Sequence, residues 1–242
     1  VEVRGEAAVF EATLLWDAHV AAATERWRRG AGAHVRGWLD ALGELEALAA
    51  LATLGHDNPA WTLPTIADDA DLARVDATAL GHPLLADAAR VPNDVVVGPP
   101  GRVLLVTGSN MAGKSTLLRA LGANAVLAMA GAPVCAARLT LPRVRPMTSV
   151  AVRDSLADET SLFLAELRRV KRIVDAARES DAPPVLYLLD EVLHGTNSAE
   201  RRVATRAVLS HLLATRAVGA VSTHDLALAL DEPLASRATL VH

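Results

Sequence analysis

The chain of 242 residues contains a single cysteine, Cys135, so it cannot form an internal disulfide bond. A disulfide-stapled scaffold is therefore excluded, and one free thiol is compatible with the reducing cytoplasm, where we expect the protein to be located. An excess of charge of one sign is also lacking, because 24 basic and 28 acidic side chains give a formal net charge of -4. The chain as a whole therefore has no electrostatic attraction for nucleic acid or an anionic membrane, and any such contact has to be local.

The sequence also lacks a secretory signal, internal repeats and low-complexity tracts. An uncharged run at residues 120–137 is interrupted by Asn124, by glycines and by Pro133, so we predict a buried helix there and no membrane span. Because the chain starts without a methionine and ends in an apolar run, we expect it to be part of a longer protein. Hydrophobic residues make up 51%, which is typical of an ordinary globular protein.

Residues 1–64 are predicted to form a helical segment. Apolar residues recur at spacings of three and four over residues 6–29 and 35–54, which predicts two helices separated by Gly30 and Gly32. The second helix has an apolar stripe that needs a partner element. The stripe consists of Trp38, Leu42, Leu45, Leu48 and Leu51.

Residues 65–242 are predicted to form an α/β domain. Short apolar runs of strand length alternate with helical stretches in this part of the chain. They are Val95–Val97, Val103–Thr107, Val185–Leu189, Val218–Ser222 and Thr239–Val241. Strands interleaved with helices favour a mostly parallel sheet that is covered by helices on both faces.

The strongest motif is a G-x-x-x-x-G-K-[ST] loop that follows the predicted strand at Val103–Thr107. It consists of Gly108, Ser109, Asn110, Met111, Ala112, Gly113, Lys114, Ser115 and Thr116. Its glycines let backbone N–H groups converge on phosphate oxygens, and the helix after it adds its positive N-terminus. We expect Lys114 to bind the β- and γ-phosphates of a nucleotide and Ser115 to bind Mg²⁺. Lys114 is one of only two lysines among 24 basic residues, which favours this interpretation over a fortuitous glycine-rich turn.

Two further predicted strands end in polar residues. The run Val185–Leu189 is followed by Asp190, the expected partner of Mg²⁺, and by Glu191, the expected base or orienter of the attacking water. Alone, such an acidic pair is as often a turn or a helix cap. His224 follows Val218–Ser222 at the position of a γ-phosphate sensor, although an isolated histidine is more often structural.

With these motifs the chain resembles the ATPase domain of the MutS family, the ABC-type P-loop ATPases of DNA mismatch repair and their relatives. The family loop T-G-P-N-M-G-G-K-S-T is matched by T-G-S-N-M-A-G-K-S-T at residues 107–116. The signature L-A-x-G-x-S-T-F-x-x-E-M is similar to residues 156–167, and the likeness covers residues 81–242. The family elements D-E, G-T-[SN] and T-H are matched by Asp190, Glu191, Gly195, Thr196, Asn197, Thr223 and His224.

The resemblance implies an ATP and Mg²⁺ site shared by a homodimer, in which the signature segment of one ATPase domain reaches the nucleotide of the other. Ser161 would contact that γ-phosphate, and Asn197 would cross the interface. Each has a simpler alternative, because Ser161 could be only a helix N-cap and Asn197 could only cap the helix that contains Glu200. The resemblance also implies that DNA is bound mostly by parts outside this chain, and that residues 1–64 are the end of a lever.

The chain departs from the family pattern at three places. Glu159 and Thr160 replace the glycine and basic residue before the signature serine, and a carboxylate beside a γ-phosphate is electrostatically unfavourable. At the position of the adenine-stacking aromatic the chain offers Arg90 or Val91. The mismatch-reading F-x-E element is absent. Two alternatives to a DNA-coupled ATPase therefore remain open, namely an ATPase acting on a membrane-associated or protein target and a nucleotide clamp that does not hydrolyse.

Overall fold

The computed structural model of the chain describes residues 15–67, 73–109, 112–150, 159–193, 197–230 and 232–242. Contacts between Cα atoms divide the chain into two compact units, Val1–Thr53 and Leu54–His242. The division at residue 64 stays a prediction.

The first unit contains most of one long helix, α1 (Trp16–Asp57), which continues into the second unit. The prediction of two helices is wrong, because Gly30 and Gly32 both lie inside α1. A glycine in a helix interior costs only about 1 kcal/mol relative to alanine, which flanking helix formers can offset. Glu25 adds local support, since its carboxylate accepts hydrogen bonds from Arg28 at 2.8 Å and Arg29 at 2.9 Å, and these guanidinium groups lower its pKa. Residues 6–14 of the first predicted helix lie outside the described residues.

The second unit is built around a parallel sheet of five strands. They are β4 (Val103–Val106), β6 (Arg145–Ser149), β7 (Val185–Asp190), β8 (Val218–Ser222) and β9 (Ala238–Val241). Their order in the sheet is β6-β7-β8-β4-β9. Every neighbouring pair in it is parallel, as the alternation of strands and helices predicted.

A second sheet of four strands was not predicted. Its strands are β1 (Thr65–Ala67), β2 (Val75–Leu80), β3 (Asn93–Val97) and β5 (Arg138–Pro142). Their order is β1-β5-β2-β3, and the pairs β5-β2 and β2-β3 are antiparallel while β1-β5 is parallel. Only β3 contains one of the apolar runs identified from the sequence, because β2 and β5 mix charged and polar residues with the apolar ones.

Helices cover both faces of the parallel sheet, as expected. On one face lies α2 (Lys114–Met129), which contacts β6, β7 and β8. On the other face lie α3 (Glu159–Ala177) and α4 (Ser198–Leu213), which also contact each other. Because side chains alternate along a strand, Leu104 packs in the core on the α2 side and Leu105 in the core on the α3 and α4 side. A short helix α5 (Leu234–Arg237) precedes β9. No helix in the described part of the chain is long and apolar enough to cross a membrane.

The centre of the sheet leaves no room for a side chain at Gly219 in β8. A Cβ built there would lie 2.2 Å from the carbonyl oxygen of Tyr187 and 2.3 Å from its ring. Tyr187 in β7 is fully buried, and this burial raises the pKa of its phenol. Glycine at position 219 therefore lets the largest core side chain pack against the neighbouring strand.

Asn124 in α2 is a fully buried polar residue that joins this helix to the four-stranded sheet region. Its Nδ2 donates to the carbonyl oxygens of Gly81 at 2.9 Å and Ala120 at 2.8 Å, and its Oδ1 accepts from the Cys135 amide at 2.6 Å. The buried helix predicted at residues 120–137 ends earlier than expected, because α2 ends at Met129. The chain after it returns to α2, where the Cys135 amide donates to Asn124.

We expect Asn124→Ala to lower the free energy of unfolding by about 3 kcal/mol, because the buried Cys135 amide and Gly81 carbonyl lose their partner. Urea unfolding followed by circular dichroism measures this. The matched control is Asn58→Ala, which removes one hydrogen bond to the Leu54 carbonyl at 2.9 Å in a partly buried place, and should cost about 1 kcal/mol or less. Equal unfolding midpoints for the two variants would contradict the structural role of Asn124.

Candidate functional site

Several of the predicted site residues meet at one edge of the parallel sheet, where β4, β7 and β8 end. These strands are neighbours in the order β7-β8-β4, so the segments that follow them lie side by side. Gly108 and Lys114 follow β4, Asp190 is the last residue of β7 and Glu191 comes directly after it, and His224 follows β8. The carboxyl ends of parallel strands are where ligands bind in open α/β sheets.

The loop between β4 and α2 has backbone angles that only glycine adopts readily. Gly108 has φ = 138° and Gly113, the residue before α2, has φ = 87°. The Ala112 amide donates to the Ser109 carbonyl at 3.3 Å and so closes the turn, and exposed Thr116 lies in the first turn of α2. Asn110 and Met111 lie outside the described residues. The loop therefore leads directly into the N-terminus of a 16-residue helix, which favours anions.

Lys114 is buried with only 6% of its surface exposed, and its ammonium group lies inside the loop. Nζ donates to the carbonyl oxygens of Gly108 at 2.9 Å and Ser109 at 2.8 Å. Nζ also lies 3.4 Å from Nδ1 of His224. These two carbonyl groups accept hydrogen bonds from the ammonium group, but they are neutral and do not balance its positive charge. The loop is therefore suited to bind an anion such as a phosphate.

Ser115 and Asp190 are in direct contact, although they come from α2 and β7. Ser115 Oγ donates to Asp190 Oδ1 at 3.0 Å, and Ser222 Oγ at the end of β8 donates to the same oxygen at 2.5 Å. Asp190 is buried, with 7% of its surface exposed. These two hydrogen bonds hold its carboxylate in a fixed direction at the sheet edge.

Oxygen atoms are the ligands that Mg²⁺ prefers, so the Ser115 hydroxyl and the Asp190 carboxylate fit this ion. Within the described ranges no group of three or more His, Cys, Asp or Glu side chains is arranged as a metal site. Mg²⁺ in nucleotide sites is typically bound by one or two protein groups together with substrate phosphates and water. The donor set therefore suits a magnesium ion that arrives with a nucleotide.

Glu191 leaves the strand in a left-handed backbone conformation, with φ = 47°. This region costs a non-glycine residue about 1–2 kcal/mol. The Glu191 amide donates to the Ser222 carbonyl oxygen at 3.3 Å and to Ser222 Oγ at 3.1 Å. The carboxylates of Asp190 and Glu191 have different partners, because Asp190 accepts from Ser115 and Ser222 while Glu191 contacts His224.

His224 connects the carboxylate of Glu191 with the glycine-rich loop. Its Nε2 forms a short contact with Oε1 of Glu191, and its Nδ1 lies 3.2 Å from the Gly108 carbonyl oxygen. The side chain of Glu191 is 24% exposed and that of His224 is 39% exposed, so both can reach a ligand. Lys114, Glu191 and His224 thus form a continuous polar surface above the sheet edge.

The two residues expected at a dimer interface lie at the beginning of α3 and of α4. Ser161 lies in the first turn of α3, inside the helix and not at the capping position before it. Asn197 caps α4, because its Oδ1 accepts from the Glu200 amide at 2.9 Å. The capping role of Asn197 is confirmed. A role of either residue in a dimer stays a prediction, and Gly195 and Thr196 lie outside the described residues.

Two cavities flank the cluster. One, of about 400 Å³, lies beside Gly113, Lys114 and Thr116 and is also lined by Arg90 and Val91. The other, of about 330 Å³, lies beside Glu191 and His224 and extends to Arg201 and Thr205 on α4. The first has the position expected for the nucleoside part of a ligand that is held by the loop. In it the Arg90 guanidinium donates to the carbonyl oxygens of His82 at 3.2 Å and Leu85 at 2.6 Å.

Two residues that organise the site were not predicted from the sequence. Ser222 joins Asp190 to Glu191 through its hydroxyl, and the signal that could have found it is a polar residue that closes a buried strand. Glu166 on α3 accepts from the Leu193 amide at 2.5 Å and ties the segment after Glu191 to that helix. Glu166 was included only as part of the signature segment.

Comparisons with known proteins agree with the resemblance. The family model described as MutS domain V matches residues 104–242. A protein named Endonuclease MutS2 from Thermomicrobium roseum is 37% identical over 163 residues, 66% of this chain and 20% of that protein. Endonuclease MutS2 from Thermus thermophilus is 32% identical over 77% of this chain and 24% of its own length. DNA mismatch repair protein MutS from Shouchella clausii is 32% identical over 76% of this chain and 21% of its own length.

The chain thus spans about a fifth to a quarter of the length of these relatives. The matched segment of the family model begins inside β4 and includes the loop, the acidic pair and His224. Since this match covers more than half of the 242 residues, the chain belongs to the MutS family, through its domain V.

Proposed function

We propose that this chain is the ABC-type P-loop ATPase part of a MutS-like protein, which binds and hydrolyses ATP and couples the nucleotide state to a change of shape on DNA. The observation that supports this most directly is a convergence of five side chains from three segments of the chain at one edge of the parallel sheet. They are Lys114, Ser115, Asp190, Glu191 and His224. Phosphoryl transfer to water needs a cation on the phosphates, ligands for Mg²⁺, a base for the water and a donor to the γ-phosphate, and these residues can supply all four.

Binding of the triphosphate rests on the loop. The amides of Gly108–Gly113 and the N-terminus of α2 bind phosphate oxygens, together with the expected loop residues Ser109, Asn110, Met111, Ala112 and Thr116. Lys114 exchanges its two carbonyl partners for the β- and γ-phosphates, because the phosphate oxygens carry the negative charge that the neutral carbonyl groups lack. The nucleoside part lies in the cavity lined by Arg90 and Val91.

Hydrolysis then depends on positioning and electrostatics. Ser115 and Asp190 would hold Mg²⁺, which neutralises charge on the phosphates when bound. Glu191 accepts a proton from the attacking water, and its neighbour His224 donates a hydrogen bond to the γ-phosphate. Contact between Glu191 and His224 supports these linked roles, because it places the base and the sensor within one hydrogen bond of each other.

The proposal is tested by ATP turnover of this chain, measured as released inorganic phosphate in the presence and absence of Mg²⁺. Saturable turnover that requires Mg²⁺ is the expected result. If the chain binds ATP tightly and releases no phosphate, the non-hydrolysing clamp is the correct function. If it binds no ATP, the proposed function is wrong.

The proposed partners are DNA and a second copy of the protein. Because the relative from Shouchella clausii is named a DNA mismatch repair protein and this chain matches only 21% of its length, we propose DNA as the partner of the whole protein, mostly through other parts of it. We also propose that two copies pair through their ATPase domains, in the cytoplasm, with residues 1–64 as the end of a lever. Ser161 of one copy would contact the γ-phosphate held by the other, with Asn197 in the same interface.

We expect Ser161→Ala to reduce turnover by about tenfold at low protein concentration and to weaken ATP-induced dimerisation, because a hydrogen bond to a charged phosphate is lost. Turnover as a function of protein concentration and light scattering with ATP measure the two effects. The matched control is Ser210→Ala on α4, whose hydroxyl bonds only within its helix, to the Arg206 carbonyl at 2.8 Å. An unchanged dimer and unchanged turnover in Ser161→Ala would contradict the cross-dimer role.

A further inference from the structure

An ion pair outside the recognised motifs lies directly behind His224. Arg202 in α4 binds Asp225 through two parallel hydrogen bonds, with Nε donating to Oδ2 at 2.7 Å and Nη2 donating to Oδ1 at 3.2 Å. Asp225 is the residue that follows His224, while Arg202 lies 23 positions earlier in the chain. A two-point arginine–carboxylate contact fixes direction as well as distance.

Both ends of this pair are anchored. Arg202 lies in the second turn of α4, whose first turn is capped by Asn197 and whose later residues Leu209 and Leu212 are fully buried. On the other side, Asp225 Oδ1 accepts from the Ala227 amide at 3.1 Å, and the Asp225 amide donates to Thr223 Oγ1 at 3.0 Å. The pair therefore ties the short loop that contains His224 to a helix that is fixed in the core.

His224 depends on that loop for its position. Its ring reaches two groups in opposite directions, Glu191 through Nε2 and the Gly108 carbonyl through Nδ1. The ring itself is on the exposed side of the sheet edge, so packing alone does not fix it. A shift of the loop by about 1 Å would break at least one of these contacts, and misplacement on that scale can cost a large factor in rate.

We infer that the ion pair between Arg202 and Asp225 holds His224 against Glu191, so that Arg202 and Asp225 are positioning residues for hydrolysis. The inference rests on the proposed function. The pair contributes little to global stability, because its side chains are 43% and 34% exposed and solvent screens the attraction between exposed charges. Its effect is therefore expected in catalysis and in the environment of His224.

The first test compares steady-state ATP hydrolysis of the chain with that of Arg202→Ala and Arg202→Lys. We expect Arg202→Ala to lower kcat about tenfold with KM changed less than about twofold, because a catalytic group is displaced while the phosphate loop is intact. Arg202→Lys should recover part of the loss, since lysine keeps the charge and loses the two-point geometry. The control is Arg172→Ala, an exposed arginine of α3, which should leave kcat unchanged.

Coupling between the two residues is tested by adding Asp225→Asn, which keeps an oxygen for the Ala227 amide. If the pair acts as a unit, the double variant Arg202→Ala/Asp225→Asn is no slower than the slower of the two single variants. Multiplication of the two single effects would contradict the inference.

A readout independent of turnover is the side-chain NMR spectrum of the eight histidines, in which the His224 signals are assigned by their loss in His224→Gln. We expect Arg202→Ala to shift the His224 ring signals and Arg172→Ala to leave them in place. Unmoved His224 signals, or an unchanged kcat in Arg202→Ala, would overturn the positioning role. If the unaltered chain hydrolyses no ATP, the proposed function fails, while the NMR comparison still decides whether Arg202 positions His224.

Discussion

Replacing Glu191 with glutamine is expected to lower the rate of ATP hydrolysis by about a hundred- to ten-thousand-fold, the range typical of a lost general base. Glutamine has nearly the same shape and accepts the same hydrogen bond from His224 at its amide oxygen, but it cannot take a proton from water. The left-handed backbone and its bonds to Ser222 are unaffected by the change. ATP should therefore bind as before and remain trapped unhydrolysed.

Single-turnover hydrolysis and equilibrium binding of ATP separate the two effects. Glu46→Gln on α1, which removes an exposed carboxylate outside the site, is the matched control and should hydrolyse ATP at the unaltered rate. Turnover of Glu191→Gln within about twofold of that control would show that another group activates the water.

Replacing Lys114 with methionine should weaken ATP binding by about a hundredfold, which corresponds to about 3 kcal/mol and to the loss of one or two charge-assisted hydrogen bonds. Methionine keeps the length of the side chain, so the buried position stays filled, while the ammonium group that bridges the Gly108 and Ser109 carbonyls is lost. The chain has only one other lysine, so the same substitution at that position is a matched control. Lys171→Met removes an exposed ammonium group that pairs with Asp175 and should bind ATP normally.

Fluorescence anisotropy with a labelled ATP analogue measures both affinities, and urea unfolding shows whether each variant is folded. Equal affinities for folded Lys114→Met and Lys171→Met would mean that the phosphate-binding role of Lys114 is wrong.

The sequence predicted those parts of the site that are local in the chain. A glycine-rich loop after a strand needs only about nine consecutive residues, and the acidic pair closes a single apolar strand, so both can be recognised without knowledge of the fold. The parallel sheet with helices on both faces followed from the alternation of strands and helices in the same way. These are features whose physical cause lies within one segment.

Features that depend on distant contacts could not be predicted. The hydrogen bonds of Ser222 to Asp190 and Glu191 form because β7 and β8 become neighbours, and the Arg202–Asp225 pair joins a helix to a loop across a strand. The four-stranded sheet pairs β2 with β5, which lies 58 or more residues away, and its mixed polar strands have no apolar period of their own. Gly30 and Gly32 predicted a break in the helix, and this prediction failed because the low helix propensity of two glycines is too weak to interrupt a helix of 42 residues.

The central claim is that the loop around Lys114 binds a magnesium-bound triphosphate, and calorimetric titration of this chain with a non-hydrolysable ATP analogue tests it most directly. We predict saturable binding of one nucleotide per chain, stronger with Mg²⁺ than without it, because Ser115 and Asp190 would then hold the ion that accompanies the phosphates. The absence of saturable heat from a chain that circular dichroism shows to be folded would contradict the account.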